Sequence, residues 1–221
     1  VDMLPDRKAR GKFYMDRAYW APQDWTDWAR FLHALFTHFK GRVAVWEILN
    51  EPDLWTEGFN GTYEDFRSYL RIAYLTARRV DPSCRVFCGA LFHREWYQNL
   101  LDDGVGEFSD GFCIHPYASR PAESLAKADE LILNLLDRGI DKPVWVTEIG
   151  YQTGGWLQGP GVLPDEETKA RVGREVLEGL GRRCGVVLWY RAADTPRMFG
   201  LLEDRVSTLV PQPVYYAYGE L

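Results

Sequence analysis

The chain has 221 residues, 46% of them hydrophobic and 26% charged, the ordinary usage of one well-packed soluble domain. Its net charge of −6 gives no attraction to nucleic acid or to an anionic membrane surface. No run of 18 apolar residues is present, so nothing in the sequence is long and apolar enough to cross a bilayer. The segment 24–39 sets Trp28, Phe31, Leu32, Leu35, Phe36 and Phe39 at helical spacing, with Pro22 and Asp24 marking its start and Gly41 its end. A strand over 42–49 follows after almost no loop, the short connection of a wound α/β fold. Thr62 then caps a helix whose apolar face is Phe66, Tyr69, Leu70, Ala73, Tyr74 and Ala77, and Asp81-Pro82 stops it. A strand over 85–91, a helix over 94–101 and a strand over 111–114 come next, the last running into His115-Pro116-Tyr117. A helix over 125–136, with Gly139 after it, leads to a strand over 143–147 and a glycine-rich loop over 151–164. A helix over 165–180, a strand over 185–190, an irregular segment and a short helix over 214–218 complete the series. The segment 13–20 offers a ragged sixth strand ahead of the first helix.

Strands that alternate with helices of this length imply a parallel sheet with right-handed crossovers, and no linker or repeat divides the one domain over 1–221. Residues 1–12 are polar and basic without the apolar core of a signal peptide, as in a processed product or an internal fragment, and they leave the cellular location open. Cys84, Cys88, Cys113 and Cys184 lack metal-ligand spacing, and their apolar surroundings predict buried free thiols in preference to disulfides.

Parallel sheets keep functional side chains at the carboxyl ends of their strands. Two strand ends here offer a glutamate, Glu51 in Asn50-Glu51-Pro52 and Glu148 in Val146-Thr147-Glu148. Counted back in twos, Glu51 shares a face with Leu49, Glu47 and Val45, and Glu148 with Val146 and Val144, while Trp46 and Trp145 turn away toward helices. Glu47 then becomes a buried acid in need of a partner, for which Arg191 is a candidate unless it pairs with Asp194 instead. A single strand-end glutamate is more often a satisfied acid than a catalyst. Two in one sheet meet the requirement of glycoside hydrolysis, one as acid and one as nucleophile or base, with like charge raising one pKa. His115 is weighed as a site residue against a satisfied core imidazole. Trp55 and Trp189 are the expected sugar platforms, and Trp156 is a candidate lid. His33, His38 and His93 cluster with no further acids, so no metal site is expected. Gly154-Gly155 and Gly159-Pro160-Gly161 lack the order of a phosphate cradle, and no cofactor is implied.

These motifs together resemble the clan A glycoside hydrolases, of the family 39 and family 5 type, over roughly residues 20–218. Trp46-Glu47-Ile48-Leu49-Asn50-Glu51-Pro52 is similar to that family's fourth strand, and Val146-Thr147-Glu148-Ile149-Gly150 to its seventh. His115-Pro116-Tyr117 is similar to the sixth, Leu188-Trp189-Tyr190 to the eighth, and Phe199-Gly200-Leu201 through Pro213-Val214-Tyr215-Tyr216-Ala217 to its closing segment. The resemblance implies an α/β fold, a (β/α)8 TIM barrel that is incomplete because strands one and two and most of three have no counterpart. It implies Glu51 as acid/base, Glu148 as nucleophile, Asn50 at a sugar 2-hydroxyl, Tyr117 hydrogen-bonded to the nucleophile, and Trp189 as a floor. It further implies a retaining mechanism on β-linked oligo- or polysaccharides, with the carboxyls about 5 to 5.5 Å apart. The missing strands would be supplied by an N-terminal segment outside this chain or by self-association. Two rival readings remain: a catalytically impaired barrel that binds carbohydrate or a partner, and an unrelated α/β enzyme whose strand-end acids bind Mg²⁺.

Overall fold

A computed structural model describes residues 21–54, 59, 61–91, 93–154, 162–194, 199–205 and 208–221. The expected strand over 13–20, and Trp55 and Trp156, lie outside the described residues. Contacts divide the chain into two compact units, Val1–Cys113 with Leu135–Pro143, and Ile114–Asn134 with Val144–Leu221. Of the five main strands, β1 (Val45–Ile48), β2 (Arg85–Leu91) and β3 (Gly111–Ile114) lie side by side in chain order, as do β4 (Val144–Ile149) and β5 (Val186–Trp189), the order that helix-linked strands take.

In the first unit, α1 (Trp25–Phe39) starts at Asp24, whose carboxylate accepts the Thr26 N–H at 2.8 Å. It buries Leu32 and Phe36. The following strand, β1 (Val45–Ile48), is shorter than expected, and Trp46 packs edge-on against Phe36 and Phe39 of α1. Helix α2 (Tyr63–Val80) opens with a reciprocal cap, in which the Asp65 N–H reaches the Thr62 hydroxyl and the Thr62 N–H reaches the Asp65 carboxylate. The expected apolar face is the one it buries, save for a half-buried Tyr74. Strand β2 (Arg85–Leu91) pairs with β1 in parallel, matching Trp46 to Val86 and Ile48 to Cys88. Helix α3 (Arg94–Asp102), a 3₁₀ turn (Val105–Phe108) that the sequence did not signal, and β3 (Gly111–Ile114) follow.

In the chain order after β3, α4 (Pro121–Asp137) begins one turn ahead of expectation, because Pro121 already has the fixed φ that suits a first helical turn. The second unit then holds β4 (Val144–Ile149), α5 (Glu166–Gly181) capped by Asp165, and β5 (Val186–Trp189). The segment expected to be irregular instead builds a second sheet from β6 (Ala193–Asp194), β7 (Leu202–Arg205) and β8 (Thr208–Pro211), before α6 (Pro213–Gly219). Strands of two to four residues, one of them Leu-Glu-Asp-Arg, carry no apolar alternation from which to read them. Among the described residues no helix is long and apolar enough to cross a membrane.

All four cysteines are buried and free. Burial pushes the Cys88 thiol up, and that of Cys184 to about 11. The native protein is therefore expected to give almost no reaction with a disulfide thiol reagent at pH 8, and to release all four thiols in denaturant. The Cys184 thiol stays protonated in the native state between its ordinary value of 9.0 and about 11, where an unfolded thiol ionises. Stability should thus fall as pH rises through that window, which denaturant titrations at stepped pH would measure.

Candidate active site

The Asn50-Glu51-Pro52 corner belongs to the first unit. Beyond Ile48 the backbone leaves the strand, and Leu49 and Glu51 both take positive φ, 62° and 41°. Such values are uncommon for residues with side chains and concentrate where function over-determines the backbone. Alternation therefore does not aim Glu51; two left-handed residues do. The corner is held by β2, since the Glu51 N–H donates to the Ala90 carbonyl at 3.1 Å and the Leu54 N–H closes a turn on the Glu51 carbonyl at 2.9 Å. Gly89 permits the approach. A Cβ at that position would overlap the carbonyl oxygens of Ile48 and Leu49. Glu51 is left buried, with 8% of its surface exposed, whereas Asn50 is exposed.

Glu47 corrects an expectation. It is exposed rather than buried, and its Oε1 accepts the Ala90 N–H at 3.1 Å, so a backbone amide of β2 is a partner that the sequence did not reveal. Asp53 is a residue that sequence reasoning passed over. It is 3% exposed, and its carboxylate accepts the His93 N–H at the start of α3, where the helix dipole favours a negative charge. The only signal was an acid placed directly after the proline of the corner.

The second unit holds Glu148. Register shows why it is presented: Val146 pairs with Val187 but Ile149 pairs with Trp189, so β4 carries one residue more than β5 across this span. That is a β-bulge, a device that re-aims side chains. Trp189 lies against Gly173 of α5, so its paired and alternating neighbours Val187, Val146 and Ile149 face that helix as well. Trp145, Thr147 and Glu148 are left on the opposite face. Two expectations fall with this, because Val146 and Val144 do not share the face of Glu148 and Trp145 does.

Thr147 and Glu148 both reach His115, which is 3% exposed. Its Nε2 lies 3.0 Å from the Thr147 Oγ1, and its Nδ1 lies 3.9 Å from the Glu148 Oε2. The Tyr117 hydroxyl donates to the same Oε2 at 3.1 Å. Tyr117 is itself anchored by Lys127 of α4, whose ammonium donates to the Tyr117 carbonyl at 2.6 Å. Phe199 stands edge-on to both Tyr117 and Tyr190, with centroids 6.1 and 5.5 Å away, which makes an aromatic wall beside the carboxylate. Sequence reading cited Phe199 and Tyr190 only within longer motifs.

Trp189 does not serve as the expected sugar platform. It is 8% exposed, its indole N–H is spent on the Phe199 carbonyl at 2.8 Å, and its ring packs under α5. The pairing of Trp189 with Ile149 puts it on the helix-covered face.

The strand order and the likeness to solved structures define the fold class. This is an α/β protein with the fold of the (β/α)8 glycoside hydrolases, in incomplete form. Within that class it is similar to family 39 proteins over part of its length. A β-xylosidase of Caldicellulosiruptor saccharolyticus is 25% identical over an alignment of 175 residues that covers 67% of this chain and 36% of that protein. A family 39 glycoside hydrolase from the gut symbiont Bacteroides cellulosilyticus superposes with a TM-score of 0.68 at 23% identity, covering 88% of this chain and 44% of the other. A family 39 β-xylosidase from Caulobacter crescentus gives 0.70 at 17% identity, over 90% of this chain and 47% of the other. No family model matches the chain. The chain thus spans less than half the length of these relatives.

Proposed function

We propose that this chain carries the reacting carboxylates of a retaining glycoside hydrolase acting on β-linked oligo- or polysaccharides, xylosides first among them. The observation that carries this reading is Glu148, set on a bulge at a strand end and addressed at one oxygen by both Tyr117 and His115. A carboxylate steered in that way is suited to in-line attack on an anomeric carbon. The β-xylosidase relatives support the choice of sugar.

In this reading Glu148 attacks the anomeric carbon while the Glu51 carboxyl protonates the departing glycosidic oxygen, leaving a glycosyl ester on Glu148. Glu51, now a carboxylate, takes a proton from water, and that water's oxygen displaces Glu148 from the anomeric carbon. Asn50 contacts the sugar 2-hydroxyl. Phe199 and Tyr190 offer the apolar faces first expected of Trp189.

The test is hydrolysis of an aryl β-xyloside by the purified chain, with the product followed by proton NMR from the first turnover. The β-anomer is expected first. Initial appearance of the α-anomer would rule out retention. Binding of xylo-oligosaccharides with no hydrolysis, unchanged by Glu148→Gln, would replace the enzyme with a carbohydrate-binding protein.

A further inference from the structure

The contacts of His115 contain more than a packing role. A neutral imidazole carries its proton on one nitrogen and a lone pair on the other, whereas a threonine hydroxyl can donate or accept. With the proton on Nε2, the Nδ1 lone pair of His115 would face the Glu148 carboxylate oxygen 3.9 Å away, from an imidazole that is itself buried. With the proton on Nδ1, an N–H dipole faces that oxygen instead. The repulsive arrangement costs more as the surroundings dry out, so the second is favoured. The bare Nε2 then needs a donor, and the Thr147 Oγ1 at 3.0 Å is placed to be one.

We propose that Thr147 is a positioning residue that locks His115 in its Nδ1–H tautomer by donating its hydroxyl proton to Nε2, so that the imidazole directs an N–H at Glu148. This rests on the reading of Glu148 as the reacting carboxylate. The bulge is what makes the device possible. In a regular strand Thr147 and Glu148 would point to opposite faces, and no single ring could meet both. Here one extra residue turns two successive side chains to the same imidazole. Tyr117 and His115 then address the same Oε2, so the tautomer decides whether the two groups act together on the carboxylate or against each other.

Nitrogen-15 NMR of the histidine-labelled protein tests this directly, because the shifts of the two ring nitrogens distinguish both tautomers and the imidazolium. The His115→Gln variant identifies the His115 signal among the four histidines. The native protein should show His115 neutral, protonated at Nδ1 and bare at Nε2. Thr147→Val should convert this to a mixture of tautomers and lower kcat about tenfold with KM within about twofold, the worth of one ordinary hydrogen bond felt at the transition state. Thr147→Ser should retain both the tautomer and the rate. A native Nε2–H tautomer, a native imidazolium at pH 7, or an unchanged signal in Thr147→Val would each overturn the proposal. If no aryl β-glycoside is hydrolysed while the Nδ1–H signal is present and lost in Thr147→Val, the lock stands and the glycosidase reading fails.

Discussion

If the proposed roles hold, replacing Glu148 by alanine is expected to lower hydrolysis of an aryl β-xyloside by roughly 10⁴-fold or more, since a nucleophile that forms a covalent intermediate has no substitute in the site. The loss should be in kcat rather than KM, because in the proposed mechanism the carboxylate acts on the anomeric carbon and not on the hydroxyls that bind the sugar. Added azide gives the finer readout. In Glu148→Ala the small anion occupies the space of the lost carboxylate and attacks from the same side, so a single displacement yields the α-glycosyl azide. In Glu51→Ala the glycosyl ester on Glu148 still forms when the leaving group is good enough to depart without a proton, and azide then displaces that ester to yield the β-product. Opposite anomers from the two variants would assign the roles of both carboxylates at once. The same anomer from both, or full activity in either, would refute the assignment. Tyr117→Phe should cost much less, about tenfold, because it removes one hydrogen bond to Oε2 and leaves the carboxylate itself in place.

The helical parts of the fold were legible because their signals are local. Thr62 with Asp65, and Asp24 ahead of Thr26, satisfy first-turn amides without help from elsewhere in the chain. The apolar rows of α1 and α2 could likewise be read from spacing alone. What alternation could not deliver was the direction of side chains at the strand ends, which are the positions that matter for chemistry. Glu148 is aimed by an extra residue whose presence is visible only against β5, and Glu51 by positive φ at two residues that carry side chains. Both devices depend on a neighbouring strand, so neither leaves a mark in its own segment. The same cause hid the amide partner of Glu47 and turned Trp189 from platform to packing. His115 and Tyr117, in contrast, came to notice as a motif at the end of β3, and the structure sets both against Glu148.

Gly89→Ala tests the other strand end, and its effect should be on the whole fold. Gly89 needs no unusual φ, so the barrier to a side chain there is steric and not conformational. Its Cβ would collide with two carbonyl oxygens, those of Ile48 and Leu49, and backbone oxygens cannot swing aside as a flexible side chain would. Either β1 moves off β2 or the corner after it is rebuilt. Both routes strain the paired bonds at Ala90, whose N–H is held by Glu47 and whose carbonyl is held by Glu51. Overpacking against backbone costs about 3 kcal/mol or more, a large share of the 5 to 15 kcal/mol that holds a typical domain together. The melting temperature should drop by roughly 6 to 12 °C if the protein still folds. Gly181→Ala is the matched control, because a Cβ at that last residue of α5 meets nothing within 4 Å. It should be neutral or stabilise by up to about 1 kcal/mol through the unfolded chain. Hydrogen exchange separates a local from a global effect, since the amides of Glu51 and Leu54 report the corner. They should lose protection in Gly89→Ala ahead of the amides of α5. Full protection at the corner with an unchanged melting temperature would mean that β1 does not depend on the close approach at Gly89.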